Sequence, residues 1–260
     1  MTASILPVWR SLLFVPVTAK RFVDGAARRG ADAIILDLED SVAASEKERA
    51  RTLVPEAAEI VSRGGADVVV RVNRPWRLCL RDIEAVVGPR VLALALPKTD
   101  SAEHVRLIAE IVEEVEAERG IAPGSTRLIA MVETAAAFFR IAEIARAHPR
   151  LCALNLGAED FATSAGISPD AEALSMPKQM AVFAARARRY HAAGLHRLDR
   201  RVPRSRRLSL DDPPLSPIRF YRRLGHPSEP SADPERGVPP ERRRGRSRAS
   251  RRRRLRQGSR

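Results

Sequence analysis

Cysteine and aromatic residues are scarce in this chain, whose 260 residues include 2 Cys, 2 Trp, 2 Tyr and 7 Phe. Two thiols, Cys79 and Cys152, are too few for a disulfide scaffold, and Cys152 lies in an apolar strand-like run that suits a small buried thiol. A reducing, cytoplasmic setting is therefore expected. No apolar run approaches the roughly 20 residues that span a bilayer, and Arg10 interrupts the N-terminal stretch that a leader would need, which argues against secretion and membrane insertion. A Gly-rich phosphate loop, a Cys/His metal cluster and a nucleophile elbow are also missing.

Acidic residues are in deficit overall, with 46 Lys+Arg against 32 Asp+Glu and a net charge of +14, but the deficit is confined to one end. Residues 1–186 carry 23 basic and 25 acidic side chains, a net of −2; residues 187–260 carry 23 basic and 7 acidic, a net of +16, and all 23 are Arg. That second segment also holds 9 of the 19 prolines and the run Arg251–Arg254, and it lacks the aliphatic periodicity that builds a core. It reads as a disordered basic tail following a domain of residues 1–186. A nucleic-acid-binding protein that neutralises phosphates with this tail is the alternative reading, with affinity falling as salt rises. The near absence of aromatics from the tail, limited to Tyr190, Phe220 and Tyr221, and its lack of lysine count against a specific nucleic-acid partner.

Short aliphatic runs recur through the first 186 residues at Ser11–Pro16, Ala33–Leu38, Val68–Val72, Leu92–Pro97, Arg127–Val132 and Cys152–Gly157. Between them, helices are predicted over Ala19–Arg29, Ser45–Arg63, Ser101–Arg119 with Asp100 as N-cap, and Thr134–Ala147. Strands that are apolar throughout need cover on both faces, which parallel sheets receive from crossover helices, so the class is α/β. Polar residues cluster where the predicted strands end: Asp37, Glu39 and Asp40; Arg71 and Asn73; Lys98; Glu133; Glu159 and Asp160. A β/α barrel gathers such ends around one mouth, whereas an open sheet spreads them along a crevice. The expectation is a TIM (β/α)8 barrel of which six strands are legible.

Glu133 and Asp160, at the ends of consecutive predicted strands, form a carboxylate pair suited to Mg²⁺, which takes one or two carboxylates and leaves its other positions to water and substrate. Arg71 either clamps a substrate carboxylate in a bidentate fork or pairs structurally with Asp37, Glu39 and Asp40. Those acids can also order the arginine or the metal's waters, and Lys98 can contact a phosphate or carbonyl. His104, on a charged helix, reads as solvated.

The segments Arg10–Pro16, Gly30–Val42, Arg71–Asn73, Leu96–Lys98, Val132–Thr134 and Gly157–Phe161 together resemble the HpcH/HpaI aldolase/citrate lyase family, over about residues 9–186 and in order. The resemblance implies a TIM barrel, Mg²⁺ at the positions matching Glu133 and Asp160, and substrate carboxylate at Arg71. It implies a CoA-ester lyase that cleaves or forms a C–C bond in a malyl-CoA, citramalyl-CoA or citryl-CoA type substrate, giving acetyl-CoA plus a 2-oxo acid such as glyoxylate. Catalysis would involve Glu133 and Arg71. Substrate binding would draw on both and on Asp37, Glu39, Asp40, Asn73 and Lys98, with Arg10 and Lys20 toward the CoA phosphates. Family members suggest a homotrimer or homohexamer, with the acid/base on a C-terminal segment that this sequence does not reveal.

The family pattern stops near Arg186. Codons can be chosen for Arg189–Asp199 and for Arg223–Val238 so that one common offset turns the first into a strand-like run and the second into a stretch similar to the family's closing strand. The tail therefore reads as out-of-frame sequence, and impaired activity is expected of the chain as written.

Overall fold

The computed structural model describes residues 7–188 and 190–192. Seven parallel strands form one sheet in the order β1-β2-β3-β4-β5-β6-β7. They are β1 Leu12–Pro16, β2 Ala33–Asp37, β3 Asp67–Arg71, β4 Ala93–Leu96, β5 Arg127–Val132, β6 Leu151–Leu156 and β7 His191–Ala192. Every strand pairs with its sequence neighbour and the order never reverses, which is the winding of a β/α barrel; a doubly wound sheet would reverse at its switch point. Six strands match the aliphatic runs, and the two-residue β7 adds a seventh, pairing His191 with Ala153 and Ala192 with Leu154.

The helices are α1 Lys20–Ala26, α2 Lys47–Ser62, α3 Trp76–Val86, α4 Ala102–Glu118, α5 Ala135–Phe138, α6 Ile141–Ile144, α7 Ala158–Ala165 and α8 Ser175–Arg186. Ser101, not Asp100, caps α4: its side chain accepts the His104 N–H, while Asp100 turns to Arg74 at 2.5 Å. The helix expected over residues 134–147 is two single turns, because Arg140 leaves helical geometry at φ −103° and ψ 9°. α3 was not legible because its buried stripe of Cys79, Asp82, Ile83 and Val86 has a carboxylate in the middle. His104 is a correction: α4 turns it inward, edge-on to Trp76 at 5.2 Å, so it is buried rather than solvated.

Strand alternation sorts the core into two layers. Ile34 and Leu36, Val68 and Val70, Leu94 and Leu96, and Leu128, Ala130 and Val132 face the helices, against Val54, Val61, Ile83, Val105 and Ile108. Ala33 and Ile35, Val69, Ala93 and Ala95, Ile129 and Met131, with Cys152, Ala153 and Trp9, form a separate inner cluster. Each fully buried Leu or Ile contributes about 1.5–3 kcal/mol, so the outer layer carries most of the stability. At the strand starts, Trp9 donates to Asp67 at 2.7 Å, and Asp32 accepts the Arg10 and Ser11 main-chain N–H groups, both at 2.9 Å.

Tyr190 is buried, its hydroxyl donating to the Ala145 carbonyl at 2.9 Å. Tyr190 and β7 fall inside the segment expected to be a disordered tail from residue 187, so its first residues are ordered against β6; the tail beyond Ala192, with the Arg251–Arg254 run, most of the two reading-frame-offset segments and the nucleic-acid alternative, lies outside the described residues. Among the described residues no helix is long and apolar enough to cross a membrane.

Candidate active site

The inner-facing series along each strand decides what reaches the barrel mouth. On β2 it runs Ala33, Ile35, Asp37; on β3, Val69, Arg71; from β5, Ile129, Met131 and, one residue past the strand, Glu133. Three residues of one parity thus arrive together, and the register sets Asp37 opposite Arg71. All three are buried, at 1% for Asp37, 4% for Arg71 and 3% for Glu133.

Arg71 forks onto Asp37 through Nε and Nη2, both at 2.7 Å, and its Nη1 lies 3.0 Å from Glu39 and 3.1 Å from Asp40. The Phe14 ring lies 5.0 Å from the guanidinium carbon. Asp37 also accepts the Glu39 and Ser41 N–H groups and the Ser41 hydroxyl. Burial pushes its carboxyl up, but Arg71 and these donors outweigh it and hold the pKa below the usual range. Of the two sequence readings for Arg71, this arrangement displays the ion pair. A guanidinium has five donors, so Asp37 and the loop acids do not exhaust it.

Glu39 behaves oppositely to Asp37: burial, with Asp40 beside it, raises its pKa despite Arg71 and Lys98. Lys98 donates its main-chain N–H to Glu133 Oε2 at 2.9 Å, while its Nζ stands 3.1 Å from Glu39 Oε1 and 4.0 Å from Asp160 Oδ2. Burial pushes Glu133 up to about 7, aided by the nearby Asp160 and Glu39 charges and opposed by the Lys98 N–H and Arg71. Asp160, in the first turn of α7, keeps 48% of its side chain exposed.

The predicted residues do not all meet here. Asn73 is spent locally, its N–H and side-chain amide both donating to Asp82 at 2.7 Å. Lys20 is on the mouth side but exposed, paired with Asp24 along α1. Arg10 is at the opposite end: it precedes β1 and pairs with Asp32 at 3.0 Å, so it cannot join the groups that follow the strands.

Two contributors escaped sequence reading. Lys47, in the first turn of α2, donates to the Leu38 and Glu39 carbonyls at 2.7 and 2.6 Å and fixes the loop that carries the acids. Gly157 leaves room for Glu133: a Cβ there would lie 2.5 Å from Glu133 Cγ and 2.6 Å from Oε1. Gly157 sits in a quoted motif, yet only packing reveals this role.

The donor set fits Mg²⁺. Five carboxylates (Asp37, Glu39, Asp40, Glu133 and Asp160) surround three cations, Arg71, Lys98 and Lys47, so with every acid ionised the cluster carries two net negative charges, which one divalent cation neutralises. All the donors are oxygens. Among the described residues no three His, Cys, Asp or Glu side chains form a ready-made metal cage, but Mg²⁺ is ordinarily held by one or two carboxylates with water and substrate completing the shell.

A profile of the family described as HpcH/HpaI aldolase/citrate lyase matches residues 10–202. Citrate lyase subunit beta of Leuconostoc mesenteroides subsp. cremoris is 34% identical over 181 residues, 68% of this chain and 60% of that protein. A (3S)-malyl-CoA thioesterase of Cereibacter sphaeroides is 35% identical over 184 residues, 69% of this chain and 60% of that protein. The chain thus spans about three-fifths of these two curated relatives. Among solved structures, protein CitE from Mycobacterium tuberculosis in complex with magnesium, acetoacetate and coenzyme A is 32% identical; the match covers 72% of this chain and 66% of that one, with a TM-score of 0.55.

Proposed function

Since the chain belongs to the HpcH/HpaI aldolase/citrate lyase family, we propose that it acts as a Mg²⁺-dependent CoA-ester lyase that cleaves or forms the C–C bond of a malyl-CoA, citramalyl-CoA or citryl-CoA type substrate. The observation that carries this reading is the buried Glu133 carboxylate at the mouth, electrostatically coupled to Asp160 and flanked by Arg71. Glu133 and Asp160 would hold the ion. Bound there, Mg²⁺ would supply Lewis-acid polarisation of the oxygen next to the scissile bond and neutralise the two excess negative charges.

The protein's own groups account for the rest. Arg71, held rigid by its fork onto Asp37, is pre-organised to orient a substrate carboxylate with its remaining donors. In the cleavage direction the hydroxyl proton leaves, the C–O⁻ becomes the carbonyl of a 2-oxo acid, and the electrons of the broken bond pass to the thioester as an enolate, which is protonated at carbon to acetyl-CoA. Positive groups fixed at the mouth favour that charge migration. The CitE complex with magnesium, acetoacetate and coenzyme A supports acyl-CoA and a small oxo acid as partners of this chain.

The test is acetyl-CoA release from malyl-, citramalyl- and citryl-CoA by the purified chain with excess Mg²⁺ or with EDTA. Slow Mg²⁺-dependent release from one of them, in keeping with the impaired activity expected of the chain as written and lost in Asp160→Asn, is expected. No release above the EDTA control from all three overturns the reading.

A further inference from the structure

We propose that the Lys98 ammonium is the resident cation of the Glu39–Glu133–Asp160 carboxylate group, and that it competes with the divalent ion and so sets how tightly the metal is held. This rests on the assignment of Glu133 and Asp160 as metal ligands. Two independent observations carry it.

The first is backbone strain. Lys98 is the single non-glycine residue with positive φ among the described residues, at 48°. Side-chain-bearing residues enter that region at a cost and persist there only where the surroundings over-determine them. In this conformation the Lys98 N–H meets Glu133 Oε2 at 2.9 Å, and the residue is planted within the acid cluster.

The second is charge placement. The same residue reaches two further carboxylates through Nζ, Glu39 at 3.1 Å and Asp160 at 4.0 Å. One residue therefore touches three acids, one through a fixed N–H and two through a charge on a flexible stem. The stem is 42% exposed, so the ammonium can withdraw to solvent while the N–H stays on Glu133. Glu39 Oε2 is buried with no hydrogen-bond donor, although Arg71 Nη1 lies 3.0 Å away, so the cluster retains acceptor capacity beyond what Lys98 satisfies. A divalent ion between Glu133 and Asp160 would repel the ammonium, and metal affinity then becomes the difference between two cations' claims on the same oxygens. If Lys98 serves only as a substrate contact, removing its charge leaves metal affinity unchanged.

The experiment titrates Mn²⁺ into the purified full chain and follows the free-ion signal by electron paramagnetic resonance, for wild type, Lys98→Met and Lys98→Arg. Lys98→Met should bind about fivefold tighter, as expected for removing one like charge across a partly solvated gap, and Lys98→Arg should stay within about twofold of wild type. In EDTA, Lys98→Met should melt below wild type and show the larger upward shift when Mn²⁺ is added. Lys98→Gln gives a second reading should the methionine variant fold poorly, and it too should gain affinity. Wild-type Mn²⁺ binding that is unchanged or weakened in both neutral variants overturns the role of Lys98 alone. Absence of Mn²⁺ binding in every variant, wild type included, overturns the metal assignment itself.

Discussion

Replacing Glu133 by Gln removes a titration that the fold makes costly. The carboxyl is raised from 4.5 to about 7, mainly by burial. Because the folded state holds this proton more tightly than the unfolded chain, the stability it contributes is fully present below pH 4.5 and is lost as pH rises through about 7. A carboxyl carried from 4.5 to about 7 corresponds to about 3 kcal/mol, which the metal-free protein forfeits at pH 8 relative to pH 4.5. Gln keeps the shape and its carbonyl can still accept the Lys98 N–H, but it does not titrate. Urea denaturation in EDTA across pH 5 to 8 should therefore show Glu133→Gln gaining on wild type by about 2.5 kcal/mol, most steeply between pH 5 and 6.5, where the folded carboxyl is protonated and the unfolded one is not. Adding Mg²⁺ should restore stability to wild type at pH 8 and leave Glu133→Gln unmoved. Parallel pH profiles for the two proteins would refute the reasoning, since a carboxyl with an ordinary pKa gives no such divergence.

Three further outcomes follow from the same geometry. Gly157→Ala has an allowed backbone, at φ −73°, so its effect is steric: the new Cβ falls about 0.9 Å inside the ordinary 3.4 Å contact with Glu133 Cγ. It should cost about 1–3 kcal/mol and abolish the Mg²⁺-induced rise in melting temperature; an unchanged Mg²⁺ response counts against Glu133 as ligand. Asp82→Ala strands the buried Arg51 guanidinium, now 2.6 Å from that carboxylate, and releases Asn73, so denaturant unfolding should show a loss of about 3–5 kcal/mol; a loss below about 1 kcal/mol would show that the network is slack. Arg10→Ala should lower stability by about 1–3 kcal/mol through Asp32 while leaving Mn²⁺ affinity at its wild-type value, and a loss of metal binding would show that the two ends of the barrel are coupled.

The strands were legible because each is a short, uniformly apolar run, and burial on both faces demands that composition wherever the strand sits. The sequence alone also carried Asp37, Arg71 and Glu133 to the mouth: position at a strand end is a property of the chain, and parity along the strand follows from period two. Asp160 was legible in the same way, one turn beyond β6. The family segments are local too, so they survive without knowledge of the fold.

What tertiary structure decided was how those residues spend their donors and acceptors. The Arg71 fork onto Asp37, the Lys47 clamp on the Leu38 and Glu39 carbonyls and the capture of Asn73 by Asp82 all join residues whose distance no spacing encodes. Arg10 went astray for a related reason: proximity to β1 is plain in the sequence, but which end of the barrel it occupies depends on strand direction, and parallel strands set every start against every finish. The seventh strand and buried Tyr190 were hidden because two ladder positions and one aromatic give no period to detect. Gly157 and Lys98 show the limit most directly. A missing side chain and a left-handed backbone carry meaning only when the Glu133 carboxylate is already in place beside them.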